Sequence, residues 1–299
     1  NKEGELMGYD VDLTHFKKAM HTIGQHCAED VLILVETTVP PGTCKQIIAP
    51  IITGELNKRN LDTDKWSLGH SYERVMPGPD FVDSIRNFYR VYAGMDDVSA
   101  LRTEAFLKTI IKTDEYPLTR LKSTNASEMA KVLENSYRAM NISFMIEWSR
   151  FAEEAGVDLY ELVDAIRMRP THKNIMKPGI GVGGYCLTKD PLLASWSRQN
   201  LFGSSALKDS EASVLKNDLM PVKAFDYLKK FQTELANKQV LLLGVSYRQD
   251  VADTRYSPVQ PFYYKLVNEG ANVLLHDPHV RYWEELGLEI EKDIDKILN

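Results

Sequence analysis

Val31-Leu32-Ile33-Leu34-Val35-Glu36-Thr37-Thr38-Val39-Pro40-Pro41-Gly42-Thr43 reads as a buried strand that turns into a helix. Its first five residues are continuously apolar, the pattern of a strand covered on both faces in a parallel sheet. Pro40-Pro41-Gly42 breaks the strand, and Thr43 is expected to cap a helix through Ile47, Ile48 and Ile51. Thr37 and Thr38 put two hydroxyls at the carboxyl end of the strand, where open α/β sheets take ligands. A role as plain turn residues is the alternative reading. Upstream, Leu13, Phe16, Met20 and Ile23 fall at helical spacing, with Gly24 as the expected terminator. Downstream, Ser67 to Arg74 and Arg90 to Gly94 read as strands, and Asp97 to about Lys112 as a helix. Strand and helix alternate, so the fold class is α/β with a mostly parallel sheet.

The pattern changes at Asn125. Asn125-Ala126-Ser127-Glu128 has the form of a capping box. Met129, Val132, Leu133, Tyr137, Met140, Phe144, Trp148 and Phe151 then recur at i+3 and i+4, and Gly156 is a natural stop. The spacing predicts one helix of about 30 residues, near 45 Å long at 1.5 Å per residue. Ile142, Met145 and Ile146 are apolar off that stripe, so burial on more than one side, including a subunit interface, is expected. Lys131 and Asn135 share a face of this helix, either to meet a common ligand or as solvated surface. A short helix over Leu159 to Ile166 leads to a basic loop, in which Arg167, Arg169, His172, Lys173 and Lys177 suit phosphate oxygens or simply face water. Next comes Gly179-Ile180-Gly181-Val182-Gly183-Gly184-Tyr185-Cys186-Leu187-Thr188-Lys189-Asp190-Pro191. Glycines let backbone approach a ligand closely, and a cysteine near a cation is placed to be a nucleophile. An inert cysteine in a tight turn is the alternative reading. A helix after Asp190 and a Ser- and Lys-rich linker over Gly203 to Lys216 lead to a second βαβ unit. Its strands are Val240 to Gly244 and Ala271 to Pro278, and its helix runs through Pro261 to Val267. The first turn of that unit lacks the GxGxxG dinucleotide fingerprint.

The 299 residues allow about two domains, on a prior of roughly 150 residues each. A net charge of −6 argues against a general nucleic-acid or anionic-membrane binder. Cys27, Cys44 and Cys186 form no disulfide framework and no CxxC pair, so the expectation is no metal and a reducing, cytoplasmic compartment. No apolar run approaches the roughly 18 residues of a membrane span.

Five stretches together resemble the nucleotide-sugar 6-dehydrogenases, the UDP-glucose and UDP-N-acetylhexosamine dehydrogenases. They are Thr37 to Thr43; Glu73-Arg74-Val75-Met76-Pro77-Gly78; Lys131 to Asn135; Gly181 to Asp190; and Leu243 to Arg248 with Asp253 to Pro258. The resemblance covers nearly the whole chain in order. It implies two Rossmann-like parallel-sheet domains joined by a long central helix that also pairs subunits into a homodimer. The implied divisions are the remainder of an NAD-binding domain (1–118), a central helical domain (119–216) and part of a UDP-binding domain (217–299). It implies an oxidoreductase of polysaccharide precursor synthesis, which oxidises a UDP-sugar C6 alcohol to the carboxylate with two NAD⁺. By match, Cys186 is the nucleophile that carries a thiohemiacetal and then a thioester. Lys131 stabilises the oxyanion, with Asn135 beside it. Glu73 is the acid/base group of thioester hydrolysis, and Thr38 and Asp190 hold a water or take the alcohol proton. Lys177, Gly181, Gly183, Tyr247 and Arg248 bind the UDP-sugar. Thr37, Thr38, Val39, Lys189 and Arg255 face the cofactor.

Tyr72 stands where the family usually has proline before the glutamate, and Arg248 where it usually has lysine. The family's Gly-rich pyrophosphate loop does not precede Asn1, so a fragment with weak NAD⁺ affinity is the expectation. The Glu73 to Gly78 stretch is closer to the N-acetylhexosamine branch. UDP-glucose remains the alternative substrate, and a non-catalytic UDP-sugar-binding fragment the alternative function. A hydroxyacid dehydrogenase related to 6-phosphogluconate dehydrogenase shares the long helix, but Cys186 in its Gly-rich setting argues against it.

Overall fold

The opening apolar run is a strand, β1 (Leu32–Val35), preceded by helix α1 (Thr14–His26). The structure, a computed structural model, describes residues 8–75 and 80–298; Met76-Pro77-Gly78 lies outside the described residues. The chain divides into two compact units. The first holds Gly8–Glu134 with Leu192–Leu207, and the second holds Asn135–Pro191 with the residues from Lys208 onward.

In the first unit, β1 passes through a turn of π-helix (Cys44–Ile48) into α2 (Ala49–Lys58) and returns as β2 (Ser67–His70). The β1–β2 pairing is parallel, with Leu32 opposite Ser67. After α3 (Phe81–Arg86) come β3 (Val91–Gly94), α4 (Asp97–Lys108) and the two-residue β4 (Thr119–Arg120). The sheet order is β1-β2-β3-β4. The β2–β3 pairing is antiparallel and the β3–β4 pairing parallel, so the mostly parallel sheet carries one reversed junction. Ile33, Val35, Ile48, Ile52, Leu56 and Leu68 are buried between the sheet and its helices. Each such side chain contributes roughly 1.5–3 kcal/mol by leaving water.

Helix α5 (Thr124–Ala155) is 32 residues long and runs from the first unit into the second. It ends on Gly156 at φ +67°, and Val157 N–H donates to Ala152 O, a glycine-terminated C-cap. The second unit continues with α6 (Leu159–Arg167), a 3₁₀ turn (Pro170–His172), α7 (Tyr185–Asn200), which passes back into the first unit, and α8 (Lys208–Phe231). There β5 (Gln239–Leu243), α9 (Val259–Asn268) and β6 (Asn272–His276) form a parallel βαβ unit. A small antiparallel hairpin, β7 (Tyr282–Trp283) with β8 (Leu288–Glu289), and α10 (Ile294–Leu298) complete it. Both units therefore have the Rossmann-like strand–helix–strand build.

Several local expectations are corrected. Gly24 lies inside α1, not at its end. A Cβ there would sit 2.7 Å from Glu55 Cβ, so the glycine is set by the close approach of α2. Thr43 makes no side-chain cap; its hydroxyl donates to Pro40 O at 2.6 Å. Asn125 is already within α5, where Ala126 N–H donates to Ser123 Oγ at 3.2 Å. Glu128 does not close a box on its own helix. It caps the π-helical turn, accepting from Gly42 N and Cys44 N, both at 2.7 Å. The Gly203 to Lys216 linker is helical from Lys208, because Ser210, Ser213 and Val214 bury one face of α8. The helix expected after Asp190 begins five residues earlier, at Tyr185.

Candidate active site

Two clusters of the expected residues form, one in each unit. In the first unit, the parallel β1–β2 pair brings two loops together at its carboxyl edge. Ser71 N–H donates to Val35 O at 3.0 Å, and Glu73 N–H reaches Glu36 O at 3.4 Å. Thr37 is exposed, Thr38 half-buried and Val39 buried on one loop, with half-buried Glu73 on the other. Glu73 turns its carboxylate back onto Val75 N–H. From α5, the buried Lys131 extends its Nζ to Glu73 O at 3.1 Å. Its Nζ also lies 5.4 Å from the centroid of the Tyr72 ring, within cation–π range.

The edge is braced from below. His70 is fully buried, and its Nδ1 is 2.8 Å from Ser127 Oγ on α5. Burial, aided by Arg90 against a backbone contact at Thr37, pushes its pKa down to about 4. The Glu128 carboxyl is held above its usual range by burial, against the hydrogen bonds from Gly42 and Cys44.

In the second unit, the Gly-rich run leads straight into α7. Cys186 is exposed in the first turn of that helix. Gly183 and Gly184 are required by packing: a Cβ on Gly183 would lie 2.4 Å from Tyr256 O, and one on Gly184 2.8 Å from the Tyr247 ring. Gly184 N–H donates to Arg255 O at 2.9 Å. The side-chain amide of Asn217 clamps Val182, accepting from its N–H at 2.7 Å and donating to its carbonyl at 2.9 Å. The structure thus unites the Gly181 to Asp190 and Tyr247 to Ser257 stretches, far apart in sequence. Tyr185 packs edge-on against Tyr256 at 5.1 Å, with Arg255 and Lys189 cations 5.8 and 5.9 Å from its ring centroid. Arg255 forms a bidentate pair with Asp253, which lowers the carboxyl pKa and raises that of the guanidinium.

Asp190, 1% exposed, lies one helical turn past Cys186. Its Oδ2 accepts from Asn135 Nδ2 at 2.6 Å, and its Oδ1 is 3.5 Å from Lys189 Nζ. Arg248 is exposed. Within the basic loop, Lys177 pairs with Asp164 at 2.8 Å, Arg167 donates to Ile175 O, and His172 Nδ1 lies 2.8 Å from Thr171 Oγ1, so three of the five basic side chains are already engaged. Sequence reasoning assigned no role to Asn217 or Asp277, and gave Glu128 only a local capping role. Asp277 accepts from four backbone N–H groups, two of them in the turn after β5. The aspartate at the end of the second strand of a βαβ unit was the available signal. Burial raises its pKa, and the four donors together outweigh that and lower it.

Comparison with known proteins fits this arrangement. Three models of one family match successive parts of the chain: the NAD binding domain over 2–112, the central domain over 125–211 and the UDP binding domain over 241–299. The chain belongs to the UDP-glucose/GDP-mannose dehydrogenase family. A UDP-N-acetyl-D-mannosamine dehydrogenase of Methanocaldococcus jannaschii is 32% identical over 270 residues, 90% of this chain and 58% of that protein. One from Pyrococcus horikoshii is 31% identical over 280 residues, 92% of this chain and 64% of that protein. This member of the family therefore spans about three-fifths of the length of these relatives. A solved UDP-D-ManNAc dehydrogenase structure from Pyrococcus horikoshii superposes with a TM-score of 0.80 at 28% identity, covering 96% of this chain and 64% of that one. A UDP-glucose dehydrogenase structure from Pyrobaculum islandicum, at 24% identity, shares the fold with a TM-score of 0.81 over 96% of this chain and 66% of that one. Among the described residues, no helix is long and apolar enough to cross a membrane, and no group of three His, Cys, Asp or Glu could hold a metal.

Proposed function

We propose that this protein is an NAD-dependent UDP-sugar 6-dehydrogenase, oxidising the C6 alcohol of a UDP-N-acetylhexosamine to the uronic acid. The observation that carries the reading is Cys186. It is exposed in the first turn of α7, on a glycine backbone pressed against Tyr247 and Tyr256, with Asp190 and Asn135 paired one turn away. The positive end of a helix favours negative charge on a group placed there, which suits a thiolate nucleophile. The relatives named for UDP-N-acetyl-D-mannosamine support the sugar class.

Asp190, or a water held by Thr38, takes the alcohol proton as C6 becomes an aldehyde. The Cys186 thiolate adds to the aldehyde carbon to form a thiohemiacetal. The Lys131 ammonium stabilises the oxyanion, with Asn135 beside it. Loss of a second hydride leaves the thioester, and Glu73 delivers the water that hydrolyses it to the uronate and free Cys186. Two molecules of NAD⁺, bound in turn, would each accept one of the two hydrides. The open carboxyl edge of β1 and β2, with the Thr37 and Thr38 hydroxyls on it, fits a dinucleotide site, and Val39 is its further proposed contact; Lys189 and Arg255 are proposed cofactor residues on the family resemblance alone. Lys177, Gly181, Gly183, Tyr247 and Arg248 are the proposed UDP-sugar contacts.

The outer stripe of α5 (Met129, Leu133, Tyr137, Met140, Phe144, Trp148 and Phe151, each at least 40% exposed) is the proposed homodimer surface. The three-domain division at 118 and 216 and a cytoplasmic setting belong to the same reading. The test is NADH formation by protein expressed from its complete reading frame against a panel of UDP-sugars. UDP-N-acetylmannosamine should give the highest kcat/KM. A preference for UDP-glucose would overturn the sugar assignment, and no NADH with any UDP-sugar would overturn the activity.

A further inference from the structure

Tyr72 is 2% exposed and directly precedes Glu73. Its ring centroid lies 5.4 Å from Lys131 Nζ and 5.4 Å from Arg74 Cζ. Its hydroxyl donates to Glu134 Oε2 at 3.3 Å and accepts from Arg74 Nη2 at 3.1 Å. Arg74 Nη2 also reaches Glu134 Oε2 at 3.1 Å, and Arg90 Nε donates to Tyr72 O at 3.2 Å. Lys131 and Glu134 are i,i+3 on α5, so one turn of that helix is tied to the loop after β2 at both.

A lysine side chain is a flexible stem carrying a point charge. Among the described residues no carboxylate pairs with Lys131; its contacts are one carbonyl, Glu73 O, and the Tyr72 ring. An aromatic face attracts the ammonium without neutralising it or occupying its donors. An acidic partner would hold it as firmly but would cancel the charge an oxyanion needs.

We propose that Tyr72 is a positioning residue, which holds the Lys131 ammonium over its ring beside Glu73 and, through its hydroxyl, locks the Glu73 loop to α5. This rests on the reading of Lys131 as the oxyanion group.

Two measurements test it. Lysines reductively methylated with ¹³C give one NMR signal each, and the Lys131 signal is assigned by its loss in Lys131→Arg. In the wild type it should be shifted upfield by the Tyr72 ring current. The shift should persist in Tyr72→Phe and vanish in Tyr72→Leu; a wild-type signal at the position of exposed lysines would overturn the proposal without any Tyr72 variant. In turnover, Tyr72→Leu should lower kcat by about 10-fold with KM nearly unchanged, and Tyr72→Phe by no more than about threefold. In a Lys131→Ala background, Tyr72→Leu should have almost no further effect, because the two residues act as one unit. Additive losses would overturn the proposal. A ring-shifted signal in a wild type that turns over no UDP-sugar would instead overturn the functional reading and leave the placement of Lys131 standing.

Discussion

Lys131 and His70 are both buried ionisable groups. Lys131 sets its Nζ against a carbonyl and an aromatic face, and its proposed work is at the oxyanion. Losing one such donor costs on the order of 10²–10³ in kcat. Lys131→Ala should therefore lower kcat far more than it raises the UDP-sugar KM, and a pure KM effect would reassign it to ground-state binding. His70 is neutral in the fold, its pKa lowered from 6.5 to about 4 by burial. The unfolded chain binds its proton first, so the stability from neutral His70 is complete above pH 6.5 and is lost as pH falls through about 4. At roughly 1.4 kcal/mol per pKa unit, that loss is on the order of 3 kcal/mol. Urea melts of the wild type and His70→Asn between pH 7 and 4 should converge as the pH falls, whereas parallel curves would show that His70 does not titrate. Cys186 was legible from sequence as a candidate because glycines and a cation flank it. Tyr72 was not, because its partners on α5 are about 60 residues away in the chain.

At the scale of elements, the strands and long helices followed from apolar runs and i,i+4 spacing, and their ends did not. Glu128 is the clearest case. Its place in α5 suggested a local box, yet it caps a turn 84 and 86 residues earlier, a contact no local pattern encodes. Glu128→Ala would leave two buried N–H groups unpaired and should cost roughly 3 kcal/mol in a urea melt. A loss below about 1 kcal/mol would mean that water or a shifted backbone replaces the carboxylate. The start of helix α8, up to Lys216, was misread as linker because serine and lysine mimic loop composition, and β7 and β8, at two residues each, are too short for a periodic signal. Helix α5 was read correctly in length, but its stripe is mostly on the outside. Of the stripe Val132 is buried, as is the off-stripe Met145, whereas Leu133, Phe144 and Phe151 are more than half exposed. If that outer face seats a second copy, Phe144→Glu should shift a sedimenting dimer to monomer without lowering the melting temperature of the monomer. A wild-type protein that sediments as a monomer at micromolar concentration would contradict the interface.

For the whole molecule, the βαβ alternation and the order of the motifs carried the fold class and the family, because both depend on runs and spacings within one sequence. What folding added is which motifs meet: the glycine run with Tyr247 and Tyr256 in one unit, and Glu73 with Lys131 in the other. The central claim is that a UDP-sugar is carried as an acyl group on Cys186. Glu73→Gln should slow hydrolysis while leaving both oxidations, so the acyl-enzyme should accumulate. The measurement is mass spectrometry of the Cys186 peptide from Glu73→Gln protein, expressed from the complete reading frame and quenched after mixing with NAD⁺ and UDP-N-acetylmannosamine. The account predicts a uronyl adduct on Cys186, absent when either compound is left out. An unmodified Cys186 peptide, together with uronic acid formation by Cys186→Ala, would contradict it.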